Sequence, residues 1–392
     1  MRPSRPALPA RAVVALALGA GLVATALPAA SAPAPLAPLL AASGQAAPGA
    51  YVVVLRPGGE PRRLVHGLQV EARHVYEGTL AGFAAQLTPA QLDRVRRDPA
   101  VESVEPDQVV RVDRRPSIPA GSGRYGLDRI DQRALPLSGS YTSRTGAAGV
   151  QAYVIDTGIA TSHPDFGGRA RNVHDATGGT GADCNGHGTH VAGILGGARH
   201  GVAKAVRLRG VRVLGCDGSG STADVISAVQ WVTAHAVKPA VANLSLSGGY
   251  SRALNRAVSA LSGSGVLVAV AAGNDGGQAC SSSPASAAAA VTTAATSRTD
   301  TRPAFSNSGS CVDTYAPGVD VTSTWLRGGT RTLSGTSMAS PHVAGVAALY
   351  KATHGETSSP ALAGWIRTTA TKGTVKGNVT GTPDRLLFTG GL

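Results

Sequence analysis

The stretch Leu333-Ser-Gly-Thr-Ser-Met-Ala-Ser-Pro-His-Val-Ala-Gly-Val-Ala-Ala-Leu-Tyr350 reads as a small-residue loop that delivers Ser337 onto the first turn of a helix over 337–354. Val343, Val346, Ala347 and Tyr350 recur at helical spacing and mark a buried face. A serine there lies in the field of the helix N-terminus beside backbone N–H groups, a setting that stabilises an oxyanion. The plainer use of such a serine is to cap the helix, so the rest of the chain has to decide.

Upstream, strands and helices alternate, which predicts an α/β fold with a mostly parallel sheet covered on both faces. Strands are expected at 149–155, 211–214, 240–245, 265–270 and 291–295, and further helices near 189–196, 222–237 and 251–262. Such a sheet places its ligand site beyond the carboxyl ends of the strands. Asp156 ends the first strand in Tyr153-Val-Ile-Asp-Thr-Gly158, where a turn role alone would account for it. His187 opens a helix in Asn185-Gly-His-Gly-Thr-His-Val-Ala-Gly193, and Asn274 closes another strand in Ala271-Ala-Gly-Asn274. His190 lies one turn from His187, but the pair lacks the Glu that a His-Glu-x-x-His metal site needs, so His190 is assigned to the helix start.

Nucleophilic catalysis needs a hydroxyl, a base, an acid that orients the base, and donors for the oxyanion. Ser337, His187, Asp156 and Asn274 supply one of each, in the chain order Asp, His, Asn, Ser. α/β-Hydrolases run Ser, Asp, His and need glycine two residues after the nucleophile; position 339 here is alanine. That alternative falls.

These blocks resemble the subtilisin-like serine proteases, and most closely the proteinase K and aqualysin branch. Val154-Ile-Asp-Thr-Gly158, Asn185-Gly-His-Gly-Thr-His-Val-Ala-Gly193, Ala271-Ala-Gly-Asn274 and Gly335-Thr-Ser-Met-Ala-Ser-Pro-His342 coincide in order, and the likeness runs from about residue 125 to 387. The resemblance implies a subtilisin-like three-layer fold, with Ser337 as nucleophile, His187 as general base and then acid, Asp156 as its orienting carboxylate, and Asn274 with the Ser337 N–H as oxyanion hole. It implies an extended substrate strand between Gly218-Ser219-Gly220 and Ser245-Leu246-Ser247. The walls of the first pocket would be Leu246 to Gly248 and Ala271, Ala272 and Gly273, which predicts an apolar or aromatic residue before the cut. Ser247 stands where relatives usually carry glycine and either narrows the pocket or adds a hydroxyl. The resemblance also implies a structural calcium held by Asp313 and the carbonyls of Ala288 and Ala290, hard oxygen ligands of the kind calcium takes.

Before this domain, Tyr51-Val-Val-Val-Leu55 reads as a strand, 62–72 as a helix, 82–87 as a strand, 88–93 as a helix start with Thr88 as N-cap and Pro89 at N1, and 101–112 as one or two strands. This βαββαβ pattern predicts a small ferredoxin-like α+β domain over 51–113, similar to the inhibitory pro-peptide of the same family, with Gly78-Thr-Leu-Ala-Gly-Phe-Ala-Ala85 as its most typical stretch. It would act as chaperone and intramolecular inhibitor; an independent binding module is the alternative. Residues 116–123 read as a connector, 114–392 as the protease domain, and 33–50 as an Ala/Pro-rich linker with no core.

Arg2, Arg5 and Arg11 precede the apolar run 12–27 and Ala30-Ser31-Ala32, the layout of a secretory signal peptide over 1–32; the run is too short for a membrane anchor. The chain is therefore expected outside the cell. There its four cysteines, Cys184, Cys216, Cys280 and Cys311, favour disulfides. Three connectivities are open; Cys184–Cys216 with Cys280–Cys311 is preferred because each would clip a long surface loop, and the aqualysin-like spacing agrees. The net charge of +13 over 392 residues is scattered as single or paired arginines with no interleaved aromatics, which argues against nucleic acid. A monomer is expected. Competing readings are a non-enzymatic binder, which would normally have replaced one of the four site residues, and a serine esterase with the same triad.

Overall fold

A computed structural model describes residues 35–78, 80–112, 115–116 and 125–392; the expected signal peptide and most of the 116–123 connector lie outside them. The small domain follows the βαββαβ order, with strands β1 (Ala46–Leu55), β2 (Ala72–Tyr76), β3 (Gly82–Gln86) and β4 (Val101–Arg111) and helices α1 (Pro61–Leu68) and α2 (Pro89–Arg97). Thr88 starts α2 as expected. Its Oγ1 accepts Gln91 N–H at 3.2 Å while Gln91 Oε1 accepts Thr88 N–H at 2.9 Å, a reciprocal cap. Helix α1 is shorter than its apolar pattern, because Gln69 turns into the left-handed region (φ 52) and β2 begins three residues later. The stretch read as a linker takes part in the domain. β1 starts at Ala46, Ala37 is buried, and Leu39 bridges Val104.

The second domain contains β5 (Arg115–Pro116), α3 (Tyr125–Ile130), β6 (Gln151–Asp156), β7 (Ala170–Asp175), α4 (His187–Gly196), β8 (Arg207–Arg212), β9 (Ser219–Ser221), α5 (Thr222–His235), β10 (Ala240–Leu244) and β11 (Gly248–Gly249). There follow α6 (Arg252–Gly263), β12 (Leu267–Ala271), β13 (Ser282–Ser283), β14 (Val291–Thr296), β15 (Thr314–Pro317), the hairpin β16 (Val321–Thr324) and β17 (Thr330–Ser334), α7 (Thr336–His354), α8 (Ser359–Thr369), β18 (Thr371–Lys372) and β19 (Arg385–Leu386). The main sheet runs β18-β19-β15-β14-β12-β10-β6-β8-β7 and is parallel except at β18. Successive strand residues alternate between its faces. Ala152, Val154, Val241, Leu267 and Ala269 pack with Val191 and Ile194 of α4 and Val343 and Val346 of α7. Tyr153, Ile155, Ala242, Val268 and Val270 pack with Val225 and Val229 of α5 and Leu254 and Val258 of α6. The result is the three-layer arrangement expected of the second domain.

The small domain joins the larger one by strand pairing, since its sheet runs β2-β3-β1-β4-β9. Two of its carboxylates also reach helix starts. Glu105 accepts from Ser251 Oγ (2.7 Å) and Ala253 N–H (2.9 Å) at α6, and Asp107 accepts Ala223 N–H (3.0 Å) at α5. Anions at helix N-termini meet unpaired N–H groups and the positive end of the helix dipole.

Candidate active site

Asp156 closes the buried strand β6, and His187 is the first residue of α4. Nδ1 of His187 lies 2.8 and 3.0 Å from the two oxygens of Asp156, both side chains being fully buried. Asp156 also accepts Thr157 N–H at 2.7 Å, so the carboxylate is hydrogen-bonded where burial would otherwise be costly. The chain turns into α4 through Gly186 (φ 100), and a Cβ there would meet the Trp325 ring at 2.4 Å. Only glycine satisfies both demands.

Asp183 ties these two loops together. Its carboxylate accepts the N–H groups of Asn185, Gly186 and Thr189 at 2.8 to 2.9 Å and the hydroxyl of Thr157 at 2.9 Å. Thr157 Oγ1 in turn accepts Gly188 N–H at 2.9 Å. This residue was missed in the sequence, although an aspartate just ahead of a helix start is a capping signal. His190 gives its Nε2 to the Arg331 carbonyl at 2.9 Å, in keeping with a structural role.

Ser337 is the second residue of α7 and is 1% exposed. Its hydroxyl donates to the Ser245 carbonyl at 3.1 Å, while His187 Nε2 has no hydrogen-bond partner among the described residues. Pro341, inside α7, has no N–H to give the Ser337 carbonyl four residues earlier. Ser245 Oγ fills that gap at 2.8 Å; it accepts from Asn243 Nδ2 at 2.9 Å, and Asn243 Oδ1 accepts from Ser340 Oγ at 2.7 Å. A fully buried polar chain therefore seats the serine turn, and the Ser-Pro in the opening motif was its only trace in the sequence. Asn274 is held beside it, with Oδ1 accepting Thr336 N–H at 2.7 Å.

The substrate strands expected at 218–220 and 245–247 flank a segment of the chain itself. In antiparallel register Val109, Val110 and Arg111 oppose Ser221, Gly220 and Ser219. Arg111 N–H donates to Ser247 O (2.9 Å), Ser247 N–H to Arg111 O (3.0 Å), and Val112 N–H to Gly218 O (2.9 Å). Beyond two undescribed residues, Asp113 and Arg114, β5 pairs with β17, placing Arg115 opposite Ser334, three residues before Ser337. Leu246, Ala271 and Ala272 are buried. A methyl placed on Gly273 would lie 3.7 Å from Ser247 Oγ, so that hydroxyl faces the opposite wall. Gly248 pairs with Ser283 at the far end of the same wall.

The disulfides pair Cys184 with Cys216 and Cys280 with Cys311, with Cα separations of 5.0 and 5.3 Å. The calcium expectation meets a different arrangement. Asp313 Oδ2 accepts Thr292 N–H at 2.9 Å and Oδ1 takes Arg367 Nη1 at 2.9 Å. No group of three His, Cys, Asp or Glu side chains able to hold a metal occurs among the described residues. With a guanidinium on its one carboxylate, the set Asp313, Ala288 and Ala290 does not fit a calcium ion.

A parallel α/β sheet whose strand ends carry a buried Asp–His pair, next to a groove filled by the chain's own extended segment, defines a serine protease made with its inhibitor attached. Comparison with known proteins agrees: residues 148–385 match the Subtilase family and residues 62–113 the Peptidase inhibitor I9 family. The chain belongs to the subtilase family. It is 47% identical over 330 residues to alkaline serine exoprotease A of Vibrio alginolyticus, covering 83% of this chain and 61% of that relative. It is 46% identical over 383 residues to the extracellular serine proteinase of Thermus sp. (strain Rt41A), covering 90% and 92%. The crystal structure of a cold adapted subtilisin-like serine proteinase is 49% identical and aligns with a TM-score of 0.67, covering 68% of this chain and 97% of that one. Among the described residues no helix is long and apolar enough to cross a membrane.

Proposed function

We propose that the chain is a secreted serine endopeptidase, made as a zymogen that cuts itself between Asp113 and Arg114 and then hydrolyses peptide bonds of proteins. The observation that carries this reading is the register of the chain through its own groove. Arg111 and Val112 pair with Ser247 and Gly218 on one side, Arg115 pairs with Ser334 on the other, and two residues remain between them. A substrate strand held by both flanks presents one peptide bond to Ser337.

In that reaction Ser337 Oγ attacks the carbonyl carbon of Asp113 and passes its proton to His187 Nε2. Nδ1 is the donor to Asp156, which leaves Nε2 as the basic nitrogen and holds the ring as its charge develops. The oxyanion takes the Ser337 N–H and the Asn274 amide, whose position is fixed by the bond from Thr336 N–H. His187 returns the proton to the leaving Arg114 amine as the C–N bond breaks, and water, activated the same way, hydrolyses the acyl-enzyme, freeing the Asp113 carboxylate and restoring the Ser337 hydroxyl. The first pocket, walled by Leu246, Ser247, Gly248, Ala271, Ala272 and Gly273, suits apolar or aromatic side chains, trimmed in size by the Ser247 hydroxyl. Asp113 is a poor occupant of such a pocket; attachment to the chain offsets this, because an intramolecular cut needs little binding.

Casein hydrolysis by the processed protein, abolished by a serine-directed inhibitor and by Ser337→Ala, tests the activity. Turnover of a simple ester without that of a chromogenic peptide would point to an esterase instead.

A further inference from the structure

The loops around Asp313 are tied together by an ion pair. Asp313 immediately precedes β15; it donates its N–H to Thr292 O at 2.9 Å and accepts Thr292 N–H through Oδ2 at 2.9 Å, so its carboxylate is clipped to β14. Oδ1 receives Arg367 Nη1 at 2.9 Å. The side chains are 19% and 34% exposed, which makes this a half-buried pair. Arg367 lies in the last turn of α8, where a cation also complements the negative end of the helix dipole. The carbonyls of Ala288 and Ala290 belong to the turn just before β14, closed by Ala290 N–H on Ala287 O.

We infer that Arg367 is the built-in cation of this site, standing where a divalent metal would have to bind, so that β14, β15 and α8 are joined without calcium at Asp313. Calcium takes about 6–8 oxygens at roughly 2.3–2.6 Å, and carboxylate charge supplies most of the attraction. Only one carboxylate is here. One of its oxygens holds an N–H, and the other holds a guanidinium that would repel a dication brought to the same atom. A fixed cation on the chain has the further property that its hold does not depend on the free calcium concentration.

The test uses the full chain carrying Ser337→Ala, which avoids self-digestion during heating. Thermal unfolding is followed in EDTA and in millimolar calcium. Calcium bound elsewhere is removed from the comparison by adding Asp313→Asn to each protein. The expected result is that Asp313→Asn leaves the calcium-dependent part of the midpoint shift unchanged while Arg367 is present. Arg367→Gln should lower the midpoint in EDTA by about 2–4 °C and gain a calcium response that Arg367→Gln/Asp313→Asn lacks. Arg367→Lys should need no calcium. A calcium response lost on Asp313→Asn in the Arg367 protein, or no gain of response in Arg367→Gln, overturns the inference. Should Arg367→Gln fail to fold, calorimetric titration of calcium into the parent and Asp313→Asn proteins decides alone: equal stoichiometry is expected, and one fewer ion in Asp313→Asn contradicts it.

Discussion

Ser247 and Arg111 exchange both backbone hydrogen bonds, at 2.9 and 3.0 Å, while the Ser247 hydroxyl faces the Gly273 wall. In the proposed function, one residue therefore both holds the strand in the groove and trims the pocket beside it. Ser247→Gly keeps the strand bonds and removes the hydroxyl. The expected outcome is a preference shifted toward large aromatic residues before the cut by about tenfold, the scale of a small change in pocket contact. Peptide substrates differing only at that position measure it; an unchanged ratio of kcat/KM for phenylalanine over alanine would remove the size argument.

Ser245→Ala leaves the buried Ser337 carbonyl without the donor that Pro341 cannot supply. An unsatisfied buried carbonyl costs about 1–3 kcal/mol. The variant should unfold at lower temperature and lose kcat more than KM. Adding Pro341→Ala restores a backbone N–H at the helical position, and part of the lost stability should return. Additive losses in the double variant would show that the two groups do not serve the same carbonyl.

Burial pushes the carboxyls of Glu105 and Asp107 up, against the hydrogen bonds from the α6 and α5 starts that pull them down. A raised carboxyl pKa in the bound state means that association is favoured below the ordinary carboxylate pKa and weakens as pH rises through the raised value. After the cut, the small domain should stay with the protease at acid pH and leave more readily as pH rises through that range. Size-exclusion chromatography of the nicked protein between about pH 4 and 7 reads this directly, and a hold that tightened with rising pH would refute it. Asp107→Ala should loosen the complex by about 1 kcal/mol, the worth of one helix cap.

His342 is fully buried with Nδ1 on the Met338 carbonyl at 2.9 Å, and desolvation brings its pKa down to about 4. The unfolded chain protonates near the ordinary value of about 6.5 while the native state resists, so stability present above that pH is lost as pH falls from about 6.5 toward 4. A shift of this size corresponds to roughly 3 kcal/mol. His342→Gln should flatten this limb of the stability–pH curve, measured by urea unfolding. An unaltered slope would assign the acid limb to other groups.

How far the sequence carried differs from element to element. The strands that deliver Asp156 and Asn274 and the helices whose first turns carry His187 and Ser337 were legible because long apolar runs end in polar residues at turns. The strands 170–175 and 314–317, the hairpin 321–334 and α8 were missed. The strands are short or polar, as in Val321-Thr-Ser-Thr324, and are held by pairing rather than by their own pattern, while α8 buries only Leu362, Ala363 and Ile366 of its apolar residues. Asn243 escaped for a related reason, because its partner Ser340 lies 97 residues away; Asp183 instead bonds mainly to the N–H groups of Asn185, Gly186 and Thr189, a local capping pattern that went unread. Arg367, 54 residues from Asp313, could not be weighed against the calcium set until the fold brought the two together.

The central claim is that Ser337 cuts the bond its own chain presents. N-terminal sequencing and intact mass of the wild-type protein and of Ser337→Ala, expressed side by side, test it most directly. The wild type should yield a protease chain beginning at Arg114, and Ser337→Ala should remain joined across Asp113–Arg114. Cleavage at that bond in Ser337→Ala, or a wild-type chain that starts elsewhere in the 110–124 region, would contradict it.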